Sequence, residues 1–291
     1  MSRCKQRRFA FVALAMLVSF TGIGTLAAAD PDLGAVLTAR YHGQILALRH
    51  SFKARSQDYD SQGNPIVNGG EGSWTVYGRM DVKKVSVTSD RLVLEGDQVV
   101  FESNKKKEPL RPVHQRDHVK VTIRLDRALT SQDEALSVIG RVFALTPQDM
   151  VNAAPALWRS YLAKELQVSQ DVKSEPPKGD GTTRIDLDDA RAAPPVVFKL
   201  GKEVTAPRAE FAPEPEYSAF ARKRRLQGTV TFDVLVDSAG KIGKIVIVHP
   251  LGLGLDEAAA DTISTWRFRP AMRDGQPVAC AFNIEVDFHL Y

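Results

Sequence analysis

Thr229-Val-Thr-Phe-Asp-Val-Leu-Val-Asp237 alternates apolar and polar residues, which is the period of a half-buried β-strand. Ser238-Ala-Gly240 follows as a short loop whose glycine suits positive φ, and Lys244–His249 returns as a second strand. The segment Cys280–Leu290 alternates in the same way near the end of the chain. These three segments predict a hairpin and a third strand of one antiparallel sheet.

Two helical patterns flank the hairpin. Pro213–Leu226 begins with prolines and acidic residues and ends in a basic run, which predicts a helix. Gln227-Gly228 is expected to end this helix, with the glycine as its left-handed cap. Leu255–Trp266 carries a single apolar stripe with helical spacing. The predicted C-terminal domain is therefore α+β, with a three-stranded antiparallel sheet and two helices on one face.

Six short motifs recur in register through this region. They are Pro213-Glu-Pro-Glu-Tyr217, Gln227-Gly228, Asp237-Ser-Ala-Gly240, Gly254-Leu-Asp-Glu-Ala-Ala259, Trp266-Arg-Phe-Arg-Pro-Ala271 and Gly275-Gln-Pro-Val278. In that order they resemble the C-terminal domain of the TonB energy-transducer family, over about residues 197–291. One departure is Ser218, which stands where much of the family has proline.

The resemblance implies a binding function. In TonB-like domains the last strand pairs with a short N-terminal peptide of outer-membrane TonB-dependent transporters, because an unpaired strand edge is a template for an extended chain. This places the contact on about Ala279–Leu290, with support from the end of the preceding helix. An alternative is that the same edge pairs with a second copy as a homodimer. The candidate partner-binding residues are Arg222, Arg225, Gln227, Gly228, Phe282, Asn283, Ile284, Glu285, Val286 and Asp287.

The chain begins with an export pattern. Met1–Arg8 is positively charged, Phe9–Leu26 is apolar, and Ala27-Ala-Ala29 suits signal-peptidase cleavage. The same segment approaches the length that spans a bilayer, so an uncleaved inner-membrane anchor over residues 9–29 is the alternative. Transducers of this type contact the ExbB–ExbD proton motor through a membrane helix that often carries a histidine. Here the only polar side chains of the segment are Ser19, Thr21 and Thr25, and none is a histidine.

Between the export segment and the TonB-like region the composition changes twice. Residues 30–166 alternate short strand patterns with turn clusters and end in helical patterns, which predicts a β-rich domain of unknown function. Trp74–Tyr77 is one of its predicted strands. Residues 167–196 are polar and proline-rich, the composition of a semi-rigid linker.

Charge and motifs exclude several functions. The net charge of +4 comes from the first 29 residues. The residues after them carry 35 basic and 35 acidic side chains, so we expect no nucleic-acid partner. The enzyme motifs with a known mechanism are absent from the sequence, and we expect neither catalysis nor a cofactor. His114, Asp117 and His118 have a spacing that a metal could use, but zinc needs three or four ligands, so no metal site is predicted.

The sequence therefore predicts a periplasmic TonB-like protein that binds transporter peptides by strand addition and couples inner-membrane energy to uptake of substrates such as iron chelates. The alternative is a periplasmic scaffold protein that dimerises or holds a partner through the last strand, without energy coupling.

Overall fold

The computed structural model describes residues 32–66, 69–103, 108–168, 197–201 and 203–290. The predicted export segment and nearly all of the predicted linker lie outside these residues. None of the described helices has the length and apolarity that crossing a bilayer requires.

Residues 32–168 form a seven-stranded sheet with five helices. The sheet order is β3-β2-β6-β5-β4-β1-β7, in which β2 and β6 are parallel and the other neighbours antiparallel. The elements are α1 (Leu33–Tyr41), β1 (Ile45–Leu48), β2 (Ser56–Tyr59), β3 (Pro65–Ile66), α2 (Trp74–Tyr77), β4 (Arg79–Val87), β5 (Arg91–Glu102), β6 (Arg111–Arg124), α3 (Gln132–Val142), β7 (Phe143–Ala144), α4 (Pro147–Ala153) and α5 (Ala156–Glu165).

The predicted strand at Trp74–Tyr77 is wrong. The segment is the one-turn helix α2, closed by hydrogen bonds from Tyr77 N to Ser73 O and from Gly78 N to Trp74 O. Trp74, Thr75 and Val76 are all buried. A turn of helix can bury three successive side chains on its packed side, whereas a half-buried strand turns every second one to solvent.

Residues 197–290 form a second sheet with order β11-β10-β14-β13, and β8 pairs with β14 in parallel. The sheet therefore has five strands, not the three predicted. Its two extra strands are three residues long, too short to show an alternation in sequence. The elements are β8 (Val197–Lys199), β9 (Arg208–Phe211), α6 (Ala219–Arg224), β10 (Gly228–Val236), β11 (Ile242–His249), α7 (Leu255–Thr265), β12 (Arg267–Arg269), β13 (Ala271–Arg273) and β14 (Gln276–Phe288).

The helix predicted at Pro213–Leu226 is much shorter than expected. It begins after Ser218, whose side chain accepts the Ala221 N–H at 3.0 Å as an N-cap. It ends at Arg225, which adopts the left-handed conformation with φ 51°, so Gly228 is not the cap. The helix predicted at Leu255–Trp266 is confirmed as α7.

The two sheets share a hydrophobic core. We call residues 32–168 the first half and residues 197–290 the second half. Trp74, Val100 and Trp158 of the first half belong to the same buried cluster as Phe232 and Leu253 of the second half. The tilted ring pair Trp74–Trp158 has a centroid distance of 5.5 Å. Residues 32–168 and 197–290 therefore pack against each other directly.

Two backbone hydrogen bonds join the halves. Leu253 N donates to Phe101 O at 3.0 Å, and Ser103 N donates to Leu251 O at 2.8 Å. Between these bonds Gly252 has φ +93°, and a Cβ on it would lie 2.1 Å from Phe101 O. Only glycine fits here, because any side chain would push the two halves apart.

We predict that Gly252→Ala lowers the free energy of unfolding by about 3 kcal/mol or more, since it adds a backbone clash to the strain of positive φ. Gly275→Ala is the matched control, because Gly275 also has positive φ but a Cβ added to it would meet no atom within 4 Å. We expect the control to lose only about 1 kcal/mol of unfolding free energy, because it adds backbone strain without a clash. Urea unfolding measures both; equal losses would contradict the close approach.

Candidate functional site

The last strand, β14, turns its apolar side chains into the core. Phe282, Ile284 and Val286 pack in the shared hydrophobic cluster, the last two being 7% and 6% exposed. The Phe268 ring meets the Phe282 ring edge-on at 5.7 Å. These three candidate residues therefore hold the strand in place, and the buried side chains of Ile284 and Val286 are not available as a contact surface.

The alternate side chains of β14 point away from the core. Asn283 Nδ2 donates to Asp233 Oδ1 on β10 at 2.6 Å, and the Thr229 hydroxyl donates to Asp287. Glu285 lies between them on the same exposed face. The outer face is thus polar and acidic, with two of its side chains tied to the neighbouring strand.

The two edges of β14 differ. β10 pairs with one edge continuously, from Val236 opposite Cys280 to Gly228 opposite Phe288. β8 pairs with the other edge over Ala279–Ala281. Beyond Ala281, the second edge of β14 therefore has no neighbouring strand among the described residues.

The structure brings the end of α6 to the end of β14. Gln227 Oε1 accepts the Leu290 N–H at 3.1 Å, and Gly228 pairs with Phe288. The Tyr217 hydroxyl donates to Leu226 O at 2.7 Å, and its ring meets Phe288 edge-on at 5.4 Å. These contacts fix the position of the basic helix end beside the strand.

The exposed face of α6 carries the two candidate arginines. Arg222 lines a shallow cavity of about 420 Å³ together with Tyr217, Ala219 and Lys223. Arg225 is exposed at the left-handed end of the helix. This end of the domain therefore presents positive charge beside the acidic outer face of β14.

The arginine between them has a different role. Arg224 Nε lies 2.8 Å from Glu102 Oε2, and Arg111 Nη2 lies 3.0 Å from Glu102 Oε1. The Glu102 side chain is 5% exposed at the end of β5. One basic residue of α6 is thus committed to an ion pair that joins the two halves. Sequence analysis missed it because the partners are 122 positions apart.

Two adjacent carboxylates are buried at the start of α7. Asp256 accepts Leu251 N at 2.7 Å and Gly252 N at 2.6 Å, which shapes the loop that meets Phe101. Glu257 accepts the indole N–H of Trp158 at 3.1 Å. Burial raises the pKa of Asp256 to about 7, with a further contribution from Glu257, and burial also raises the pKa of Glu257.

On β6, His114 of the predicted histidine segment contacts an aspartate on β4. His114 Nδ1 lies 3.2 Å from Asp81 Oδ2, which also accepts from Lys83. Among the described residues, no group of three or more His, Cys, Asp or Glu side chains is arranged to hold a metal ion.

The residues from α6 to β14 are similar in sequence to a known domain family. The family model for the Gram-negative bacterial TonB protein C-terminal matches residues 213–290, which confirms the resemblance seen in the sequence.

Two relatives match this chain over stretches of similar length. Protein TonB of Vibrio cholerae is 36% identical over 78 residues, which are 26% of this chain and 32% of that protein. Protein tonB2 of Pseudomonas aeruginosa is 34% identical over 79 residues, 27% of this chain and 29% of that protein. The chain thus spans less than a third of the length of the relatives it matches. A solution NMR structure of the Pseudomonas aeruginosa TonB CTD aligns with 21% identity and a TM-score of 0.25, covering 32% of this chain and 93% of that one.

We predict that Glu102→Gln destabilises the protein by about 2–4 kcal/mol, because it leaves the Arg224 guanidinium part-buried without its counter-charge. A double-mutant cycle with Arg224→Met measures the coupling. The matched cycle uses Arg111→Met, whose side chain is 56% exposed against 34% for Arg224. We expect a smaller coupling for Arg111, since water screens it more. A coupling near zero for Arg224 would contradict this role of the ion pair.

The raised pKa values predict a pH dependence. A carboxyl whose pKa is higher in the folded than in the unfolded chain loses folding free energy as pH rises between the two values. For Asp256 this window runs from 3.8 to about 7. We therefore expect a lower free energy of unfolding at pH 7.5 than at pH 5.

Glu257→Gln tests the source of this slope, because it removes one titrating group while keeping an acceptor for Trp158. We expect a shallower decline between pH 5 and pH 7.5, measured by urea unfolding. Glu216→Gln, which removes an exposed carboxylate, is the control and should keep the wild-type slope. An unchanged slope in Glu257→Gln would show that the buried pair does not titrate in this range.

Proposed function

We propose that this chain is a periplasmic TonB-like protein that binds the extended N-terminal peptide of an outer-membrane TonB-dependent transporter. The peptide adds as a strand to the second edge of β14. The observation that carries the proposal is that, among the described residues, β13 and β8 pair with this edge only from Gln276 to Ala281, in a domain whose sequence is TonB-like. Main-chain hydrogen bonds would supply most of the affinity.

The side chains around the edge would then set the preference for a partner. Ile284 and Val286 are buried and Phe282 is partly buried, so most of this task falls to the polar face of β14 and to the end of α6. Arg222 and Arg225 favour acidic residues at the end of the peptide that passes α6, because their exposed charges are complementary to carboxylates. Gln227 and Gly228 position that helix end against the strand.

Energy transduction would require residues 9–29 to remain as an inner-membrane anchor in contact with the ExbB–ExbD motor. In that form the protein would drive uptake of substrates such as iron chelates. A chain cleaved after Ala29 would instead be a soluble periplasmic peptide-binding module. The two forms share the same peptide site.

A scaffold without energy coupling is the second candidate, and one observation favours it. The TonB-like domain shares its core with residues 32–168, and the Glu102–Arg224 ion pair adds to that junction. A domain built into a larger unit suits a fixed holding role. In this function the second edge of β14 pairs with a second copy.

Proline substitutions at Asn283 and Ile284 separate these functions from simple unfolding. Successive residues of a strand point their N–H groups to opposite edges, so one substitution removes a donor from the β10 ladder and the other from the second edge. We expect one variant to unfold at lower urea concentration. The other should unfold in a single transition at higher urea concentration than the first, yet bind a fluorescent transporter N-terminal peptide at least about tenfold more weakly than wild type.

A scrambled peptide is the control for binding, and sedimentation measures dimerisation of the same proteins. Wild-type protein that binds the native peptide no better than the scrambled one would rule out peptide binding by strand addition. A dimer that the edge-selective proline abolishes, without peptide binding, would establish the scaffold function instead.

A further inference from the structure

A cavity of about 260 Å³ lies where the first sheet meets α6. Lys53, Arg55 and Arg79 line it from the first half, and Phe220 lines it from the TonB-like domain. The cavity therefore has walls from both halves, and an occupant would contact both.

Arg79 is the unusual group in this wall. It is 4% exposed, and its guanidinium carbon lies 3.6 Å from the centre of the Trp74 ring and 4.1 Å from that of Phe101. Among the described residues, the one hydrogen-bond partner of its Nη2 is the Met150 sulfur, at 3.6 Å. Within the described ranges, its Nη1 is buried with no hydrogen-bond partner and no carboxylate forms an ion pair with it.

Such a group is costly unless an anion approaches it. A buried charge normally has a counter-ion and satisfied hydrogen bonds, and the aromatic rings replace these only in part. Burial lowers the pKa of Arg79 to about 9, which reflects the missing counter-charge. The side chain still carries its proton at neutral pH.

The charges around Arg79 do not balance. Three cations, Lys53, Arg55 and Arg79, line the cavity with a single carboxylate, Asp117. Asp117 pairs with Arg55 at 2.8 Å, which leaves two positive charges in the wall. Lys53 and Arg55 are at the rim, so an anion could enter from solvent between them.

Much of the remaining wall is apolar, although Gln57 and Gln98 also line the cavity. The rings of Tyr77 and Phe220 meet edge-on with centroids 5.8 Å apart, and Ala54 and Val119 complete this side. The volume lies just below the range of about 300–1,000 Å³ that is usual for ligand pockets. The occupant would therefore be small, with an anionic head and an apolar body.

We propose that this cavity binds a small organic anion, with its charged head toward Arg79 and Lys53 and its apolar part against Tyr77 and Phe220. The ligand would join the first half to the TonB-like domain at α6. This site is separate from the second edge of β14 and does not depend on peptide binding there.

Calorimetric titration of the purified chain tests the site with three probes. N-acetyl-phenylalanine supplies a carboxylate with an aromatic body, its neutral amide supplies the body alone, and inorganic phosphate supplies charge alone. We expect the carboxylate to bind at least about tenfold more tightly than either other probe, since it alone satisfies both walls.

Lys53→Met and Arg55→Met test the rim without disturbing the buried Arg79. Each should weaken binding of N-acetyl-phenylalanine at least about threefold, whereas Lys84→Met, which removes an exposed cation outside the cavity, should not. Equal affinity for the acid and the amide, no binding of any probe, or equal losses in all three variants would overturn the proposal. Phosphate that binds as tightly as the acid would overturn the role of the apolar walls.

Discussion

The C-terminal half of this protein depends on the close approach of the Gly252 backbone to the carbonyl of Phe101. The approach requires glycine with positive φ, and the buried carboxylate of Asp256 holds the loop in that shape by accepting two backbone N–H groups. Because the loop leads directly into α7, the same contact positions that helix against Trp158. The TonB-like domain thereby packs on the seven-stranded sheet of residues 32–168, and the two share one core.

The local features of the C-terminal domain were predictable from its sequence. The strands at Thr229–Asp237 and Cys280–Leu290 alternate clearly because one face of each is buried and the other is polar, and the helix after Gly254 shows one apolar stripe. The helix after Pro213 was overestimated, because the side-chain cap of Ser218 and the left-handed Arg225 limit it to a short segment. The shortest strands have no pattern to detect.

The junction was not predictable from sequence, for a physical reason. Ion pairs such as Glu102 with Arg224 and the cavity around Arg79 join residues that are far apart in the chain, and no local period or motif records them. Two signals were present in the sequence: the glycines at 252 and 254, and the adjacent acids Asp256 and Glu257 in an apolar setting. Each signal indicates an unusual local environment, but neither shows which distant residues lie against it.

The shared core changes how a TonB-like domain would work in this chain. A free domain on a tether searches for its partner, whereas this domain presents the edge of β14 from a larger body that also holds a charged cavity. Partner binding at the edge and ligand binding in the cavity would then act on one folded unit. The account therefore depends on the two halves forming a single unit.

A cleavable site introduced between residues 169 and 196 tests that claim most directly. After cleavage, we expect the two pieces to elute together in gel filtration and to unfold in a single transition. Separation into two pieces, with the C-terminal piece remaining folded alone, would contradict the shared core.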